Sequence, residues 1–153
     1  MLAPTSKQTL SFEQKGSRSV SPFFIPSTLA NMVSGHLAIK YGYHGPNLSL
    51  STACTTGLQT ILQAYDLIKN DYADVMIAGG SEHSLTPLGI AGFAAARALS
   101  NNNDNPKEAS RPFDSHRDGF VMADGSGAVV VEELEHALAR GARIFGEILG
   151  GGY

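Results

Sequence analysis

Apolar and polar positions along this chain fall into blocks whose period changes. In PFFIPSTLANMVSGHLAIKYG, Leu29, Met32, Val33, His36, Leu37 and Lys40 recur at helical spacing behind Ser27 or Thr28, either of which can cap a helix. Gly42 is the expected stop. Residues 47–51 place Leu48 and Leu50 on one face of a short strand. The helical period returns over 55–69, with Leu58, Ile61, Leu62, Tyr65 and Ile68 on one side. ADVMIAGG (73–80) is a continuous apolar run ending in glycines, the pattern of a buried strand. A helix is expected over 86–97 with Pro87 in its first turn. A long polar loop follows over 100–120, then a strand over 126–134. The short helix EHALARG stops at Gly141, and ARIFGEILGGG is expected as a last strand. Residues 1–20 are polar and weakly patterned, and are expected as a lead-in or surface loop ahead of a domain over 21–153.

Helices alternating with strands predict an α/β layered fold, with a mixed, largely parallel sheet and helices on both faces. The length of 153 residues and 42% hydrophobic content suit one domain with a core. A net charge of −3 argues against bulk nucleic-acid binding. No apolar run reaches the ~18 residues that a spanning helix takes. The N-terminus lacks the basic-then-apolar pattern of a signal peptide. The one cysteine forms no disulfide within the chain, so a cytoplasmic setting is expected.

That cysteine, Cys54, lies in LSLSTACTTGLQT, where a strand stops and a helix begins. A helix start favours anions through its unpaired N–H groups and macrodipole, and the same groups can steady an oxyanion. Small neighbours (Ala53, Thr55, Thr56, Gly57) permit a sharp turn with close approach by a substrate, the logic of a nucleophile elbow with sulfur in place of oxygen. A free cysteine is as readily a small buried hydrophobe, and position alone leaves both readings open.

Two longer motifs decide between them. STACTTG, preceded by IPSTLANMVSGHLAIKYGYHGPNLSL and followed by DVMIAGGSEHSLTPLGIAGFAAARALS, resembles the β-ketoacyl-acyl carrier protein synthases, most closely the synthase II branch of bacterial fatty-acid synthesis. NDNPKEASRPFDSHRDGFVMADGSGAVVVEELEHALARGA matches the same family in order and spacing. The resemblance runs from about residue 21 to the end. It implies a partial N-terminal domain of the thiolase-like fold, in a condensing enzyme that uses no cofactor. Cys54 is then the residue that accepts an acyl chain from acyl carrier protein. A decarboxylating malonyl unit supplies the carbanion that extends the chain, in covalent catalysis split into two half-reactions.

The family also uses two histidines, in H-G-T and G-H-x-x-G-A contexts, and a lysine, all in the second half of a longer chain. None of His36, His44, His83, His116 and His136 sits in either context. The first strands of the family are absent as well, so the chain is expected to be a fragment unable to complete the reaction alone. His36 and His83 are expected to pack structurally, and His44, His116 and His136 to be exposed. No metal site is expected.

By the same resemblance, Phe24 and Phe93 lie near the acyl tunnel, Phe24 across a dimer interface, while Phe23 is expected to pack in the core. Arg18 and Arg97 are candidates for docking the acidic carrier protein, although Ser19 stands where a second basic residue often occurs in the family. Residues 47–51 are expected to pair with their copy in a homodimer. Arg111, Asp114, Arg117 and Asp118 are read as an ion-pair and hydrogen-bond cluster that fixes the long loop. AGG and DGSG lack the context of a nucleotide site. Neither nucleic-acid binding nor membrane insertion is expected. The alternatives are a polyketide-type ketosynthase, a thiolase, or a non-catalytic truncated product.

Overall fold

The computed structural model describes residues 2–152, which fall into two compact units: residues 2–28 with 82–125, and 29–81 with 126–152. Helices α1 (Leu2–Lys15), α2 (Phe24–Thr28) and α5 (Pro87–Ala95) belong to the first. The second holds α3 (Met32–Tyr41), α4 (Thr56–Lys69), α6 (Leu134–Ala139) and nearly all of strands β1 (Val75–Glu82) and β2 (Gly125–Glu132). Helices beside a small sheet make this a partial α/β domain.

In the first unit, α1 packs against α2 and α5. The lead-in expected as a loop is therefore a helix. Its half-buried positions are Pro4, Ser6, Gln8 and Ser11, small or polar, while Leu10 and Phe12 face solvent, so no apolar stripe announces it. Polar side chains hold it instead. Ser19 Oγ donates to the Ser11 carbonyl at 2.8 Å, and Gln8 Oε1 accepts from Ser21 N at 2.8 Å. Phe23, expected in the core, is 75% exposed at the turn into α2. The start of α5 is well defined: Thr86 is buried, and its hydroxyl accepts from Gly89 N at 3.0 Å. A Cβ on Gly89 would run into the Ser84 carbonyl oxygen, so this tight entry requires glycine.

The polar loop closes on itself in that unit. Leu99 and Phe120 form a parallel bridge, with Ser100 N bonded to Phe120 O at 2.9 Å. Asp118 accepts from Asn101 N at 2.9 Å, and the Ser100 hydroxyl is the main cause holding its carboxyl below the usual range. Asp114 accepts from His116 N at 2.7 Å, and Arg117 Nη1 donates to the Asp114 carbonyl at 2.8 Å. Hydrogen bonds fix the loop as expected, but the ion pairs found among the described residues lie elsewhere.

In the second unit the expected first helix is split. It begins at Met32 after Asn31 and ends at Gly42, whose φ of 69° makes the left-handed cap. His36, expected to pack, is exposed on α3. The sheet has two strands. Glu133 N bonds to Asp74 O at 2.9 Å, while Gly79 lies against Ala128 midway along the pair, so the strands run antiparallel. The parallel neighbours expected of the sheet are not among the described residues, where parallel pairing is confined to the Leu99–Phe120 bridge. With one partner only, β1 is half open: Val75 and Ile77 are exposed while Ala78 is buried. Residues 47–51 and the last segment, both expected as strands, join no ladder, because a strand forms only where an edge receives it. Instead, Ser34 Oγ meets Asn47 Oδ1 at 2.9 Å and Ser49 Oγ donates to Ala30 O at 3.1 Å. The tail passes Leu62 so closely at Gly151 that a Cβ there would collide with it.

The core of this unit is Leu62, Ala64, Ala78 and Ala137. Glu132 ends β2 and accepts from Arg140 Nε at 2.7 Å and Nη2 at 2.6 Å, and meets His136 Nδ1 at 2.6 Å. This paired fork fastens α6 to the strand, and Glu133 caps α6 through His136 N at 2.7 Å.

Candidate active site

Cys54 sits in a short 3-10 turn, Ala53–Thr55, that runs straight into α4. Ala53 has a φ of 53°, in the left-handed region that a residue with a Cβ rarely enters. The backbone thus reverses sharply one residue before the sulfur, and the thiol is exposed at the crest. Three threonines brace the reversal. Thr56 Oγ1 accepts from Thr52 N at 2.9 Å and donates to Ala53 O at 2.8 Å. Thr55 Oγ1 donates to Thr52 O at 2.8 Å. The Thr55 and Thr56 hydroxyls satisfy backbone groups that the turn leaves without helical partners, and the Thr52 hydroxyl meets both of them.

The same helix is hooked to the sheet. Thr60 Oγ1 donates to Gly57 O at 2.8 Å and lies 2.9 Å from Gly79 O. A Cβ on Gly80 would stand 3.4 Å from the Gly57 Cα, so two glycines let α4 approach β1. Beside this contact opens an apolar cleft of about 430 Å³, lined by Gly57, Ile61, Gly79, Gly80, Ala128 and Val129 among others. It begins one helical turn beyond Cys54 in sequence.

Phe24, Phe93, Arg18 and Arg97 lie in the first unit. Phe93, on α5, is 42% exposed and meets the Phe120 ring edge-on, with centroids 6.2 Å apart and planes at 88°. Phe24 is half-buried at the start of α2. The two rings make no aromatic pair with each other among the described residues. A second apolar cavity, of about 240 Å³, lies between Leu85, Ile90, Leu99, Phe120 and Met122. Arg18 is exposed in the turn after α1, and Arg97 is exposed just beyond α5. Neither has an ion-pair partner among the described residues.

His83 was expected to pack, but its side chain is 69% exposed and its Nδ1 lies 2.6 Å from Asp124 Oδ2. The other Asp124 oxygen accepts from Ser84 N at 2.9 Å and Leu85 N at 3.0 Å. The Leu85 N–H, then His83 and the Ser84 N–H, hold this carboxyl below its usual range. Sequence reading missed Asp124 because its DGSG setting was weighed only as a nucleotide motif. Among the described residues, no three His, Cys, Asp or Glu side chains gather as a metal would need. Among the described residues, no helix is long and apolar enough to cross a membrane.

The geometry at Cys54 is thus an exposed thiol just past a left-handed residue, at the start of α4. Residues 2–137 match the family described as "Beta-ketoacyl synthase, N-terminal domain", and the chain belongs to that family. It is 58% identical over 139 residues to the 3-oxoacyl-[acyl-carrier-protein] synthase 2 of Vibrio cholerae, covering 91% of this chain and 34% of that one. It is 54% identical over 140 residues to the mitochondrial 3-oxoacyl-[acyl-carrier-protein] synthase of Arabidopsis thaliana, covering 91% of this chain and 30% of that one. Among solved structures it resembles a type II polyketide ketosynthase in complex with its acyl-carrier protein, with TM-score 0.88, 33% identity, and 93% of this chain and 36% of that one covered. A β-ketoacyl synthase of Burkholderia phymatum gives TM-score 0.82 and 33% identity, with 92% and 34% covered. These neighbours carry the thiolase-like fold expected from the sequence. The chain spans about a third of the length of the curated relatives it matches.

Proposed function

We propose that this chain supplies the acyl-accepting part of a condensing enzyme of fatty-acid elongation. Cys54 Sγ attacks the carbonyl carbon of an acyl thioester held on acyl carrier protein. The carbon–sulfur bond to the carrier breaks, and the carrier's thiol leaves with the proton. The acyl group then stands on Cys54 as a new thioester. In the second half-reaction a malonyl thioester loses carbon dioxide, and the resulting carbanion attacks the acyl carbonyl and expels the Cys54 thiolate. The product is a β-ketoacyl chain two carbons longer. That second step belongs to the whole protein, since this sequence contains neither family histidine context.

The observation that carries this reading is the elbow: an exposed Cys54 behind Ala53 at φ 53°, at the start of α4. Phe93 is assigned to the acyl path, and Phe24 to the same path across a homodimer interface. The lack of an aromatic pair between them within one chain agrees with that division. Residues 47–51, without a ladder of their own, are assigned to pair with their copy. Arg18 and Arg97 are assigned to the acidic carrier protein, on their exposure. A cytoplasmic setting is proposed from the lone cysteine. The polyketide reading draws on the 0.88 TM-score, but identity favours fatty-acid elongation, at 58% against 33%.

Cys54→Ser in the whole protein tests the proposal, with β-ketoacyl product as the readout. Product formation is expected to vanish while the far-ultraviolet dichroism stays as in wild type. Condensation retained in the variant would refute the assignment.

A further inference from the structure

We propose that Thr60 is a positioning residue for Cys54: its hydroxyl pins the first turn of α4, behind which the thiol is presented, to strand β1. This rests on the reading above, in which Cys54 is the nucleophile, and concerns what keeps that nucleophile in place.

Cys54 stands two residues before α4, so the thiol goes where the first turn of that helix goes. Thr55, at the N-cap, makes no side-chain bond to that turn, and the second helical residue is Gly57. Glycine allows the close approach to Gly80 but leaves its own backbone loose. Thr60, one turn further on, restrains it. Its Oγ1 lies 2.8 Å from Gly57 O and 2.9 Å from Gly79 O. A hydroxyl has one proton to donate, and two carbonyls, one on the helix and one on the strand, share it at nearly equal distance. The back-bond to Gly57 O is open to any helical threonine, whereas the reach to Gly79 O joins α4 to β1. The line of bonds continues to the thiol. Gly57 follows Thr56, whose hydroxyl donates to Ala53 O at 2.8 Å, and that carbonyl belongs to the peptide that carries the Cys54 nitrogen. Strand, Thr60, first turn, Thr56 and the peptide entering Cys54 are thus linked, all within the second unit. A methyl group stands about 3.3 Å or more from a carbonyl oxygen. Valine at position 60 therefore pushes helix and strand apart and takes this donor from Gly79 O. A helix start favours a thiolate while its first-turn N–H groups stay aligned, so the displacement reaches the sulfur as lost reactivity.

Three forms of the full chain test this: wild type, Thr60→Val, which keeps the branched shape without the hydroxyl, and Thr60→Ser, which keeps the hydroxyl without the branch. Cys54 is the one cysteine in the chain, so alkylation by iodoacetamide reports on it alone. Rates are read on folded protein and, as a control, in denaturant. Thr60→Val is expected to slow alkylation of the folded chain about threefold, toward the low end of what one neutral hydrogen bond contributes. Thr60→Ser is expected to keep the wild-type rate, and all three forms to agree in denaturant. With acyl-loaded carrier protein as donor, Thr60→Val is expected to lower the limiting rate of acylation and leave the half-saturating concentration unchanged. A side chain that merely packs gives the reverse order, valine like wild type and serine impaired, and that order overturns the inference. An unchanged alkylation rate in folded Thr60→Val overturns it too, as does a change confined to the half-saturating concentration. If Thr60→Val does not fold, Thr60→Ala removes the hydroxyl from a better helix former and is read in its place. Absence of acylation in every form, wild type included, is failure of the acyl-transfer reading instead, and the alkylation rates then decide the positioning role alone.

Discussion

Ala53 carries the strain that presents Cys54, and Thr56 carries the bonds that hold it. Removing the Thr56 hydroxyl with Thr56→Val leaves Thr52 N without its acceptor and Ala53 O without its hydroxyl donor. The expected loss is about 1 kcal/mol in urea unfolding, given that an intramolecular hydrogen bond contributes about 0.5–1.5 kcal/mol. The rate of Cys54 alkylation by iodoacetamide should change in parallel, and an unchanged rate would show that the hydroxyl does not set the thiol's presentation. A second residue-scale prediction concerns acid. Hydrogen bonds from Arg140, then His136, lower the Glu132 carboxyl from 4.5 to about 2. A depressed carboxylate adds stability that is fully present above its unfolded value and declines as pH falls toward its folded one. The contribution of Glu132 is therefore intact above pH 4.5 and lost between there and about 2. Denaturant titrations at neutral and acid pH should show wild type losing more stability across that window than Glu132→Gln. Equal losses would contradict the pairing.

Individual elements show which parts of the fold were legible. Helix α4 was read with its boundaries nearly right, because Ile61, Leu62, Tyr65 and Ile68 keep a strict helical period and Leu62 is a core residue. The stops at Gly42 and Gly141 were equally plain, since both adopt positive φ. Helix α1 was missed because Ser11, Ser19 and Gln8 hold it, and polar stitching leaves no periodic apolar signal. The strands expected over 47–51 and in the tail have the right pattern, but pattern alone supplies no neighbouring edge. The sharp turn at Cys54 was legible from its small neighbours, whereas the Ala53 backbone and the threonine braces emerge only in three dimensions. Two substitutions probe the elements directly. Gly79→Ala drives a Cβ into the Gly127 carbonyl oxygen, and a loss of about 3 kcal/mol is expected in thermal unfolding. Arg97→Gly should instead stabilise the chain, by about 1 kcal/mol, through relief of the left-handed backbone. A lowered midpoint for that variant would contradict that relief.

Large apolar side chains are open in both units, with Phe113 99% exposed in one and Leu149 82% in the other. Apolar side chains left open in this way favour association. Sedimentation velocity is expected to show association that rises with concentration, and a single monomer boundary at every concentration would contradict that. The central claim, however, is chemical: the thiol on this elbow accepts an acyl group. Its most direct test is intact-mass spectrometry after incubation with acyl-carrier protein under native conditions, followed by peptide mapping, with Cys54→Ser alongside. The account predicts one acyl adduct on the wild-type chain, mapped to Cys54, and none on the variant. An equal adduct on Cys54→Ser, or no adduct on a wild-type chain whose dichroism shows its helices formed, would contradict it.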